Sequence, residues 1–129
     1  MKLTSAAAIA LGFAAVLCMG APAYSAGDPA AGQKVFNKCK TCHEVDQLKN
    51  KVGPELVGIF GRKAGSAPDF KYSDAMKNSG ITWNEQTLAQ YVKDPKGFIP
   101  GNKMAFPGLK SDQEVDDLLA YLKQATVPK

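Results

Sequence analysis

Cys39-Lys40-Thr41-Cys42-His43 (CKTCH) places two thiols and an imidazole within five positions. Three chemistries use such a grouping: a structural zinc site, a redox-active dithiol, and two thioethers to a porphyrin whose iron the histidine binds. Each needs a different surrounding chain, so the reading of CKTCH and the reading of the fold are one question. The 129 residues, 45% hydrophobic and 22% charged, suit one small globular domain and leave no room for a second.

The first residues are expected to stand outside that domain. Lys2 precedes an apolar run over residues 6–19, then small residues with cleavage sites after Ala23 or Ala26. That is the pattern of a secretory signal peptide, and the run is too short for a permanent membrane span. Residues 1–26 are therefore expected to be a cleaved leader, residues 27–129 the mature domain, and the protein periplasmic with no permanent membrane insertion. Cys18 leaves with the leader, and Leu17 stands where a lipid-attachment signal would need a small residue. The remaining 103 residues hold two cysteines and one histidine. A domain of that size buries a modest fraction of its surface and often leans on a metal or cofactor for its core.

The periodicity predicts an all-α fold with long loops. Asp28 caps a helix with Pro29 at its first position, and Val35, Phe36, Cys39 and Cys42 follow at helical spacing, giving a helix over 29–42 that CKTCH closes. Residues 44–71 are dense in glycine and proline and read as loops. A short helical piece is expected over 73–78, ending at Gly80. Asn84 caps a helix bearing Leu88, Tyr91 and Val92, which must stop near Asp94 because Pro95 follows. Residues 95–110 read as irregular. The last helix begins at the S-x-x-E pattern of residues 111–114 and carries Val115, Leu118, Leu119 and Leu122 on one face to about Ala125. Gly32 would let that helix approach the first one closely.

This frame separates the three readings of CKTCH. Zinc normally takes four spaced Cys or His ligands, and the mature chain is one short. A dithiol redox pair belongs in a βαβ setting, and no strand pattern is present. Covalent haem attachment uses both thiols and the lone histidine: positions three apart on a helix lie about 5–6 Å apart at Cβ, and the next residue can turn under the ring. The group filling the sixth iron position then decides the chemistry. A sulfur there suits electron transfer; an open position would bind gases or peroxide. Met76 and Met104 are the mature chain's methionines. Met76 falls on the short helical piece and reads as core filler. Met104 falls in a Pro- and Gly-containing loop suited to lie over a flat cofactor, and is the favoured ligand.

From residue 27 to residue 125 the ordered segments CKTCH, GPELVGIFGRKAG (53–65), YSDAMKNSGITW (72–83), YVKDPKGFIPGNKMAF (91–106) and DLLAYLK (117–123) resemble class I cytochrome c, the family of mitochondrial cytochrome c and bacterial cytochrome c2. The resemblance implies four to five helices and long loops around one haem c bonded to Cys39 and Cys42, with His43 and Met104 as axial ligands. It also implies that the Pro54 carbonyl accepts the second imidazole proton of His43, that Tyr91 hydrogen-bonds the Met104 sulfur, that Arg62, Tyr72 and Trp83 hold the propionates, and that Phe106 covers a haem face. Two cofactor-proximal positions depart from the common pattern: Met76 stands in place of an asparagine, and Asn102 in place of the threonine of the ligand loop.

The implied function is one-electron transport, with the iron cycling between Fe(III) and Fe(II), in a monomer that is not an enzyme. Charge bears on partners. The chain carries +4, or +3 once Lys2 leaves with the leader. Lys38, Lys40, Lys96 and Lys103 flank the haem segments, while Glu114, Asp116 and Asp117 collect at the start of the last helix. A positive haem edge would steer toward acidic docking sites on redox proteins: a bc complex, a terminal oxidase, a photosynthetic reaction centre or a periplasmic dehydrogenase. So modest a charge on an exported protein argues against nucleic acid.

Overall fold

The structure, a computed structural model, describes residues 10–15 and 26–129. Residues 1–9 and 16–25, which carry most of the expected apolar run, Cys18 and the cleavage site after Ala23, lie outside the described residues.

Among the described residues five helices form around loops: α1 (Pro29–Phe36), α2 (Asp74–Lys77), α3 (Glu85–Lys93), α4 (Pro95–Phe98) and α5 (Asp112–Ala125). Among the described residues no strand forms, and one isolated bridge joins Lys63 to Thr82. The caps lie where short-range chemistry puts them. The Asp28 carboxylate accepts from Ala30 N at 2.9 Å, the Ser73 hydroxyl from Met76 N at 3.1 Å, and Asn84 and Thr87 bond reciprocally at the start of α3. Each satisfies an N–H that the first helical turn leaves unpaired.

Two boundaries differ from the sequence reading. The regular helix α1 ends at Phe36, not at Cys42, because the chain tightens: Asn37 N donates to Lys34 O and Lys38 N to Val35 O, three residues back rather than four. CKTCH continues as consecutive turns, with Cys42 N and His43 N both donating to Cys39 O at 3.0 Å. A tight three-residue turn stacks positions i and i+3, so the thiols still share a side. The second difference is α4, inside the stretch read as irregular. Pro95 ends α3 for want of an N–H, but its fixed φ suits a first helical position. Asp94 caps the new turn, accepting from Gly97 N at 3.0 Å.

The core lies between α1, α3 and α5, where Val35, Phe36, Leu88, Val115, Leu118 and Leu122 are buried. Helix α1 crosses α5 at Gly32, where any side chain would collide with the Asp117 carbonyl and the Tyr121 Cβ. Asp117 is buried and accepts from Asp28 N at 2.8 Å, tying the start of α1 to α5 across 89 positions. This close pairing of first and last helices leaves their other faces, with α3 and the loops, to enclose a cavity.

Candidate functional site

A cavity of about 310 Å³ opens beside the core. Cys39, Cys42, His43, Pro54, Arg62, Tyr72, Trp83, Tyr91 and Met104 all line it, and so does Phe106. Asn102 does not; it stands behind the Met104 loop. Segments up to 67 positions apart in sequence, from Cys39 to Phe106, thus converge on one largely apolar space, the form expected of a cofactor pocket.

The imidazole is fixed first. His43 Nδ1 lies 2.7 Å from the Pro54 carbonyl. A carbonyl can only accept, so Nδ1 carries the proton and Nε2 keeps its lone pair for a metal. Burial pushes the His43 pKa down, outweighing the Pro54 bond that raises it, and Lys51 and Arg62 push it further down. The ring is therefore neutral at neutral pH, the form an iron ligand needs. Gly53 packs directly against this ring, and a Cβ there would overlap it.

Both thiols are free and line the cavity. Burial pushes Cys39 up to about 11 despite Lys38 nearby, so the free chain holds it as a thiol. Among the described residues no three His, Cys, Asp or Glu side chains converge to hold a metal ion.

The far loop is organised by Asn102. Its Nδ2 donates to the Pro95 carbonyl at 2.7 Å and the Ile99 carbonyl at 2.8 Å, and its Oδ1 accepts from Met104 N at 2.8 Å. The partners dictate the amide orientation, since carbonyls need donors and an N–H needs an acceptor. Oδ1 also accepts the Tyr91 hydroxyl at a long 3.4 Å. The resemblance implies a bond from that hydroxyl to the Met104 sulfur; the bond found here goes to Asn102. An asparagine presents a carbonyl oxygen at this point where the common threonine cannot. Burial pushes the Tyr91 phenol up to about 12, which keeps it a neutral donor. Asn102→Val removes all four bonds. We expect it to destabilise the protein by about 1–3 kcal/mol, read as a lowered urea midpoint, and to strengthen competition by exogenous imidazole for the iron several-fold.

The three groups assigned to propionates also line the cavity, with one surprise. Tyr72 O accepts from Ala67 N at 3.0 Å and retains its own proton to donate. Trp83 is buried against the cavity wall. Arg62, however, is already engaged. Its Nη1 donates to Glu55 Oε1 at 2.9 Å and to Val57 O at 3.1 Å, and its Nη2 to Glu55 O at 2.6 Å. Of five N–H donors, Nε–H and one on Nη2 remain. Sequence reasoning missed Glu55, because one glutamate in a Gly- and Pro-rich loop reads as a solvated charge. The remaining donors, the apolar walls, the free thiols and the oriented imidazole together fit a haem with buried propionates.

The lysine rim is partly as expected. Lys38 and Lys103 line the cavity itself, and Lys96 lies nearby beside Phe106. Lys38 also pairs with Glu114 at 3.4 Å, joining the positive rim to the acidic start of α5. Both side chains are exposed, so this contact contributes no more than about 1 kcal/mol.

A cytochrome c family model matches residues 29–126. The chain is 57% identical over 96 residues to a cytochrome c-550 from Bradyrhizobium diazoefficiens, an alignment covering 74% of this chain and 71% of the relative. It is 54% identical over 105 residues to a cytochrome c2 from Blastochloris viridis, covering 81% and 82%. Among solved structures it is similar to cytochrome cH from Methylobacterium extorquens, with a TM-score of 0.71 and 51% identity over 75% of this chain and 98% of that one. With sequence, fold and pocket in agreement, the chain belongs to the cytochrome c family of electron carriers and bears haem c on the two thiols of its C-x-x-C-H segment, Cys39 and Cys42.

Proposed function

We propose that this chain is a periplasmic one-electron shuttle, exported with residues 1–26 as a cleaved leader, whose iron is held between His43 and Met104. The observation that carries the reading is a single cavity shared by two free thiols, a neutral imidazole fixed by Pro54, and a methionine whose backbone is pinned by Asn102. Haem c, when bound, supplies the Fe(III)/Fe(II) couple. The chain supplies the rest. Pro54 fixes the ring plane of His43 and makes it a better donor. Met104 closes the site to other ligands. The apolar walls exclude water, and Tyr72, Trp83 and the spare donors of Arg62 meet the propionates. No bond to a substrate forms or breaks, so rigid ligation and docking are the protein's whole task.

The test is a visible spectrum of the exported protein together with its mass. The reading expects a low-spin reduced form, a sulfur-to-iron charge-transfer band when oxidised, no carbon monoxide binding, and a polypeptide beginning at residue 24 or 27. Rapid carbon monoxide binding by the native protein would overturn it.

The partners are redox proteins with acidic docking faces: a bc complex, a terminal oxidase, a photosynthetic reaction centre or a periplasmic dehydrogenase. Lys103 and Lys38 at the cavity mouth, with Lys40 and Lys96 nearby, supply the complementary charge. Among the described residues no helix is long and apolar enough to cross a membrane. Electron-transfer rates with such a partner should fall about tenfold or more as salt rises from roughly 0.01 M to 0.5 M, because screening shortens the reach of these charges. Stopped-flow kinetics against ionic strength checks this, and a flat profile would exclude electrostatic steering.

A further inference from the structure

Among the described residues Glu55 is the one buried carboxylate beside the cavity, and ligation does not use it. It is 4% exposed. Every polar group it has is engaged: Oε1 accepts from Arg62 at 2.9 Å, Oε2 from Val57 N at 2.7 Å, its carbonyl from Arg62 Nη2 at 2.6 Å, and its own N–H donates to Asn50 Oδ1 at 3.0 Å. Arg62 lines the cavity, whereas Glu55 sits behind it, out of contact with the space the cofactor takes. A lone guanidinium at that wall would favour the iron state of lower positive charge. A carboxylate bonded to it offsets that influence, and burial leaves little water to screen either charge.

We propose that Glu55 is a positioning residue that holds and counterbalances Arg62, and so keeps the haem reduction potential below the value an unpaired Arg62 would set. This rests on the one-electron reading above. The pair has a second consequence in the same loop. Residue 55 follows Pro54, whose carbonyl orients His43, so the clamp of Arg62 on the side chain and backbone of Glu55 also holds the loop carrying that carbonyl. Charge and anchoring predict different results, which makes them separable. Removing an anchor at either end loosens the same loop and moves the potential in one direction. Removing a charge moves it in a direction set by the sign removed.

The experiment is a redox titration of the purified holoprotein as parent, Glu55→Gln, Arg62→Gln and the double variant, with the charge-transfer band recorded for each. At a fixed solution potential, Glu55→Gln should raise the Fe(II)/Fe(III) ratio roughly threefold to tenfold, where tenfold corresponds to about 59 mV for one electron. Arg62→Gln should lower the ratio, and the double variant should return to within about twofold of the parent. Glu55→Asn, a shorter neutral amide, is titrated alongside, so that a folding failure of Glu55→Gln leaves the sign measurable. Shifts of the same sign in both single variants, or an unchanged ratio in the Glu55 variants, would overturn the proposal. A parent without the charge-transfer band would instead overturn the ligation reading, and the parent spectrum separates the two failures.

Discussion

Met104→Ala is expected to turn a closed iron site into an open one. The oxidised protein should lose its sulfur-to-iron charge-transfer band, and the reduced protein should bind carbon monoxide, which the parent should not. The reduction potential should fall on the order of 0.1–0.3 V, within the roughly 0.8 V that axial ligands command, because thioether sulfur favours Fe(II) over the water or hydroxide replacing it. Met76 gives the experiment its control. It lines the same cavity but sits on α2, where Met76→Leu conserves volume and should leave the band in place, at a cost of less than about 1.5 kcal/mol. If the band survives in Met104→Ala and vanishes in Met76→Leu, the ligand has been assigned to the wrong methionine.

Gly53→Ala should be nearly as damaging, acting through His43. The glycine backbone lies against the His43 ring, and one added methyl group would occupy space that the ring already fills. The imidazole cannot retreat without breaking its 2.7 Å bond to Pro54, and the backbone cannot retreat without moving that same carbonyl. Gly53 N also donates to Cys42 O at 2.9 Å, which ties the loop to the thiol segment. Overpacking of this kind costs about 1–3 kcal/mol, and losing the Pro54 bond adds about 1 kcal/mol. The expected result is a lower urea midpoint and a weakened iron–imidazole bond, seen in the low-frequency resonance Raman spectrum of the reduced protein. An unchanged frequency together with an unchanged midpoint would show that the loop has slack not apparent in its packing.

Features governed by neighbouring residues were legible in the sequence. The caps at Asp28, Asn84 and Ser111 are contests between a side chain and N–H groups two or three positions away, so spacing alone locates them. CKTCH was legible as a cofactor segment for the same reason. The end of α1 was harder, since hydrophobic spacing does not distinguish a helix from the tighter turns that follow Phe36. Helix α4 was hidden because a proline that stops one helix can start the next, and which it does depends on whether Asp94 is free to cap. The site's polar contacts were the least legible. Arg62 could be placed at the cavity, but its partner depends on how the loop through Glu55 folds back. Tyr91 could be placed near Met104, but its hydroxyl chooses among acceptors by position, and here it meets Asn102. Sequence similarity locates side chains at a site better than it locates the protons between them.

The pairing of α1 with α5 also bears on the order of events in synthesis. The first helix has its partner at the other end of the chain, so a polypeptide lacking residues 112–125 offers α1 nothing equivalent to rest on, and contacts this distant are slow to form. Cys39 and Cys42 follow directly on α1, so the segment that carries them is anchored only once α5 has formed. The domain completes its enclosure of the cavity only when its last helix has joined its first.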